Sequence, residues 1–180
     1  MLTNTVFTRR FCSTMRLSLK RIIVIATVIL SAVACDQTTK HIARVSLTDA
    51  GSIRVLGNFF ILTYAENQGA FLSLGSNWPL IVKQIVFLFL SSLVVIGASI
   101  YLLKDKKMGL FHTGILSLII GGGIGNLIDR FFRSGYVTDF MNMGIGRVRT
   151  GIFNFADIFL LTGAALFVVT QLKREKKAET

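Results

Sequence analysis

Four apolar runs, each near the length that crosses a bilayer, constrain this chain more than any other feature. A helix needs about 20 mostly apolar residues to span the hydrocarbon. The runs fall at about 21–41, 78–103, 109–129 and 153–172. The first is apolar from Ile22 to Cys35 and reaches spanning length only by taking in the polar stretch DQTTK (36–40). A mean hydropathy of +0.64 with 52% hydrophobic residues is too apolar for a small soluble domain. The expected fold class is a mainly α membrane protein with four transmembrane helices and a small outer β-structure, in one domain of 180 residues.

Charge placement supports this class and sets an orientation. The net charge of +11 invites a nucleic-acid reading. Of the 20 Lys and Arg, however, five lie in the first 21 residues, three in KDKK (104–107) and four in KREKK (173–177). Basic residues that flank apolar runs orient membrane proteins with that side in the cytoplasm. Both tails, 1–20 and 173–180, are therefore expected in the cytoplasm, and the connections at about 42–77 and 130–152 outside. No nucleic acid is expected as a partner. Two cysteines, Cys12 and Cys35, and two histidines, His41 and His112, make neither a disulfide framework nor a metal cluster.

Within the first outer connection, SIRVLGNFFILTY reads as two short strands turning at Leu56-Gly57-Asn58. The third run ends in GGGIGN (121–126). In a membrane helix such glycines allow close approach of a neighbour. The run lacks the Lys-Ser/Thr ending of a phosphate-binding loop.

Ionisable groups inside or beside spans are costly and mark function. Asp36 and Lys40, four apart, share a helix face and can pair. Asp129 and Arg130 close the third run, where a place in the headgroup layer is expected. Asp139 in VTDF and Asp157 in FNFADIF each stand alone among apolar residues, with no basic residue within five positions. A carboxyl buried without a cation resists ionisation. Two such groups side by side would share a proton, one acting as base toward water and the other as acid. That is aspartic peptidase chemistry, and it needs no cofactor or metal. A Ser–Lys dyad of Lys40 with Ser46 is the rival hydrolytic arrangement. From another class, the acids could be proton or cation sites of a small membrane transporter or channel component. A noncatalytic binding protein built on the same residues is a third reading.

Four blocks, in order, resemble the lipoprotein signal peptidases (signal peptidase II). They are DQTTK (36–40), GNFFILTYAENQGAF (57–71), GGGIGNLIDRFFRSGYVTDF (121–140) and FNFADIFLLTG (153–163). The resemblance implies four membrane helices, an outer β-cradle and a small outer helix or loop. It implies Asp139 and Asp157 as the catalytic pair, with Asn67, Asn126, Arg130 and Asn154 as supporting residues. Asp36 and Lys40 match the family's first-span pair, in a supporting role. The implied activity is removal of the signal peptide from diacylglyceryl-modified prolipoproteins, just before the lipidated Cys, by a globomycin-inhibited monomer of the bacterial inner membrane. Its partners would be those substrates and membrane lipids. One departure is NQGAFLSLG, where the family usually shows two Ala and then Phe-Gly.

Cys35 raises a separate question. A basic tail, an apolar run and AVAC (32–35) imitate a lipoprotein's own export signal. Ala32 stands where such signals usually have Leu, and the chain re-enters the membrane three more times. Cys35 is read as an ordinary helix residue, and Met15 as a possible alternative start.

Overall fold

The computed structural model describes residues 17–67 and 78–178, with side chains to Arg174. Arg9, Arg10, Cys12, Met15, Arg16 and the departure from Gln68 to Gly75 lie outside the described residues. Four helices form a bundle: α1 (Leu19–Leu47), α2 (Leu80–Lys104), α3 (Leu110–Phe132) and α4 (Phe155–Ala178). At one end sit four antiparallel strands, in the order β1 (Ser52–Leu56), β2 (Phe60–Asn67), β3 (Val137–Ile145) and β4 (Val148–Arg149). Among the described residues neither connection at the sheet end contains a helix.

Three helices are long and apolar enough to cross a membrane unaided: Leu80–Lys104, Leu110–Phe132 and Phe155–Arg174. α1 is not among them, and its second half carries Asp36, Lys40 and Arg44. It stands in the bundle all the same, packed along α3. At about 1.5 Å per residue its 29 residues extend roughly 43 Å, more than the hydrocarbon thickness. The helix runs on to Leu47, past the expected end of the span near residue 41, with Asp36 and Lys40 buried in the bundle.

α3 is the central helix, and its glycines explain why. A Cβ on Gly121 would lie 2.8 Å from the Ala32 side chain of α1, and one on Gly122 would lie 2.6 Å from the Ala156 carbonyl of α4. Only glycine lets both backbones approach this closely. α2 packs against α3 and leaves Ile81, Ile85, Phe89, Leu93 and Ile96 exposed, a lipid-facing surface.

The hairpin expected at 56–58 is present: β1 ends at Leu56 and a turn at 57–59 leads into β2, with Gly57 at φ 54°. The sequence signals no strand in the second outer connection, yet Val137–Ile145 forms β3. It pairs with β2 in the register Asn67↔Val137, Ala65↔Asp139 and Leu62↔Met141. The alternation that marks a one-sided strand is lost here, because Val137 to Met141 are buried without a break. β3 covers α1 and α4: Phe140 and Met141 pack with Ala43 and Leu47, against Phe153 and Phe155.

Candidate active site

Both lone carboxylates come to the sheet end from different elements. Asp139 sits on β3, and Asp157 in the first turn of α4. Asn154, just before α4, joins them. Its Nδ2 donates to Asp139 Oδ1 at 2.6 Å, its backbone N–H donates to Asp157 Oδ2 at 3.2 Å, and its Oδ1 accepts from the Asp157 N–H at 3.0 Å. The last two bonds are a reciprocal cap at the helix start, where a carboxylate also suits the helix dipole. Asn67 Nδ2 from β2 donates to the other oxygen of Asp139 at 2.9 Å, and Asn126 Nδ2 from α3 donates to Asp157 Oδ1 at 2.8 Å.

The two acids differ in environment. Asp139 is 2% exposed. Burial first, and the nearby Asp157 second, push its carboxyl up to about 7, against the pull of Asn67 and Asn154. Asp157 is only half-buried and opens onto a cavity of about 320 Å³. Phe87, Leu90 and Val94 of α2 and Leu160 of α4 line that cavity together with Asn126 and Arg130. Arg130 Nη1 donates to Ser91 Oγ at 3.2 Å. The result is a largely apolar groove between α2, α3 and α4, with Ser91, Asn126, Arg130 and Asp157 as its polar groups.

A buried ionic cluster supports the amides from behind. Lys40 is fully buried, with its Nζ 2.9 Å from Asp36 Oδ2, 3.1 Å from Asp129 Oδ2 and 3.0 Å from Asn126 Oδ1. The ammonium thus fixes which way the Asn126 amide faces: oxygen toward Lys40, nitrogen toward Asp157. Asp36 Oδ1 accepts from the Ala156 N–H at 2.9 Å, and Asp129 Oδ2 accepts from the Thr138 N–H at 3.0 Å. Each carboxylate clamps the backbone beside one lone acid. The expected pairing of Asp36 with Lys40 is present. Asp129 is 1% exposed, turned into the bundle rather than out to solvent, with Lys40 from another helix as its cation. The Ser–Lys alternative fails, since Ser46 is exposed on α1 while Lys40 is held by two carboxylates.

The structure therefore gathers Asp139, Asp157, Asn67, Asn126 and Asn154 directly, Arg130 along the cavity wall, and Asp36 and Lys40 one step behind. Sequence reasoning missed Gln37, whose Nε2 bridges Asp36, Asp129 and the Gly125 carbonyl, and Thr138, whose carbonyl accepts from Asn154. Both lie inside the quoted blocks DQTTK and VTDF. Ser91 carried no signal in its apolar run. Among the described residues no cluster of His, Cys, Asp and Glu could hold a metal ion. Cys35 is an exposed residue in the middle of α1.

A family model described as Signal peptidase (SPase) II matches residues 28–173. The chain belongs to the signal peptidase II family. It is 36% identical over 157 residues to a lipoprotein signal peptidase of Streptococcus thermophilus, covering 86% of this chain and 96% of that one. A lipoprotein signal peptidase of Halalkalibacterium halodurans is 35% identical over 154 residues, covering 84% and 94%. A solved bacterial membrane enzyme, determined by the in meso method at 2.3 Å resolution, superposes with a TM-score of 0.71 at 29% identity, covering 87% and 90%. A signal peptidase II is a protease, and the transporter reading finds no support among these relatives.

Proposed function

We infer that this chain is an aspartic endopeptidase that removes the signal peptide from diacylglyceryl-modified prolipoproteins, cutting just before the lipidated Cys. Asp139 and Asp157 are the catalytic pair. The observation that carries the reading is the Asn154 bridge, which ties one oxygen of Asp139 to the start of the helix bearing Asp157.

The chemistry follows from the environments. Near neutral pH the pair holds one proton, and the raised Asp139 carboxyl carries it. Asp157, at the cavity, takes a proton from water as the water attacks the scissile carbonyl. Asp139 then protonates the leaving amine. Asn126 and Asn154 hold the Asp157 carboxylate, so its remaining lone pairs face the cavity. The apolar groove of Phe87, Leu90, Val94 and Leu160 takes the substrate's apolar segment sideways from the bilayer. Arg130 meets the developing oxyanion or the lipid headgroup. The substrates' lipid tails stay in the membrane, and the enzyme works as a monomer in the bacterial inner membrane.

The test is direct. The purified chain in detergent is given a lipid-modified prolipoprotein, and released signal peptide is measured. Asp139→Asn and Asp157→Asn should each lower the rate by a factor of about 10² to 10⁴ while the protein still inserts and folds. Substantial cleavage by either variant would refute the dyad.

A further inference from the structure

The end of the bundle opposite the candidate active site holds a second and larger cavity, of about 390 Å³. Tyr101 at the end of α2, Asp105 and Lys107 in the α2–α3 turn, His112 in the first turn of α3, and Gln171 and Arg174 near the end of α4 line it. We propose that this cavity binds the phosphate of an anionic phospholipid headgroup.

Four observations carry the assignment. First, its two cationic side chains, Lys107 and Arg174, form no ion pair among the described residues, whose ion pairs are confined to Lys40 and Arg133 at the other end. Second, His112 Nε2 is buried without a hydrogen-bond partner, and Gln171 adds a neutral donor and acceptor. A phosphodiester supplies the acceptors this set lacks. Third, the surroundings add positive charge. Arg21, 5% exposed, donates to the carbonyls of Leu102 and Asp105 at 2.8 and 3.0 Å and meets no carboxylate there. The α3 helix is preceded by Gly109 at its N-cap, with neither a side-chain cap nor an acidic residue in its first turn. The opposing charge is Asp105, and one of its oxygens already accepts the Lys107 backbone N–H at 3.0 Å. Fourth, Tyr101, Leu103, Leu110 and Phe111 are exposed beside the cavity, an apolar flank for acyl chains that a soluble anion would not need.

Retention of lipid by the full chain purified in detergent, read by native mass spectrometry, tests this without reference to cleavage. Wild type should retain phosphatidylglycerol in preference to phosphatidylcholine. Lys107→Gln with Arg174→Gln should weaken phosphatidylglycerol retention about tenfold. The charge-matched pair Arg54→Gln with Arg147→Gln, at the sheet end, should leave it unchanged. Arg174→Gln alone, near the end of α4, is the milder variant and should show a smaller loss. Equal retention of the two lipids by wild type overturns the proposal, as does an undiminished preference in the Lys107 and Arg174 variants. Displacement of phosphatidylglycerol by equimolar inorganic phosphate overturns the lipid as source and assigns the cavity to a free anion.

Discussion

Asp139 is the residue whose surroundings leave the clearest trace in pH. An unperturbed carboxyl titrates at 3.8, and this one at about 7. Between those values the folded chain binds more protons than the unfolded chain, so stability falls as pH rises through the window and the loss is complete above it. Thermal unfolding in detergent should show this as a decline, at most about 1.4 kcal/mol per pH unit, that Asp139→Asn removes. A slope identical in wild type and variant would mean that Asp139 is not the group responsible. The same titration limits catalysis. As pH rises through about 7 the pair loses its shared proton, and kcat/KM for prolipoprotein cleavage should fall. Both acids were legible in the sequence as carboxylates isolated among apolar neighbours. Ser91 was not: its hydroxyl donates to the Phe87 carbonyl of its own helix, as Ser92 and Ser99 do to theirs, and nothing local marks that it also receives Arg130.

Between elements, one ammonium joins α1 to α3, and its two carboxylates reach on to β3 and α4. Lys40→Met would leave Asp36 buried without a cation and Asp129 with only the partly exposed Arg133 at 3.6 Å, at a cost of about 3–5 kcal/mol. The triple change Asp36→Asn, Lys40→Met and Asp129→Asn removes both stranded charges and should recover much of that loss. Thermal unfolding of the two variants in one detergent checks the pair, and a Lys40→Met chain as stable as wild type would refute the role given to the cluster. The glycine run makes a parallel case. Gly122→Ala drives a methyl to 2.6 Å from the Ala156 carbonyl and pushes α4, which carries Asp157, away from α3. It should lower both stability and cleavage, whereas Gly97→Ala, with nothing within 4 Å, should change neither appreciably. The Asp36–Lys40 spacing and the glycines were readable because each is a local pattern. The burial of Asp129 was not, since its partner is 89 positions away on another helix. β3 was hidden for a related reason: neighbours cover both of its faces, so no polar alternation survives in VTDFM.

At the scale of the molecule, the two ends of the bundle differ in chemistry. The sheet end holds the buried acids and their amides. The other end holds Lys104, Lys106, Lys107, Arg174 and the buried Arg21. The four apolar runs and the basic flanks make this division legible from residue order alone, because span length and charge position need no tertiary information. The meeting of Asp139 with Asp157 needs the sheet, of which only the first hairpin has a local signal. The charge asymmetry also predicts a sidedness, with the basic end in the cytoplasm, that can be tested. A thiol placed at the sheet end then faces outward. In a Cys12→Ser, Cys35→Ser background, Asp49→Cys and Arg147→Cys, both exposed at that end, should react in intact cells with a membrane-impermeant maleimide. Lys106→Cys, exposed in the α2–α3 turn, should react only after the cells are opened. The reverse pattern would put the acids on the cytoplasmic side, where a signal peptide's cleavage point does not reach. The assigned substrate would then fail on topology alone, whatever the dyad's chemistry.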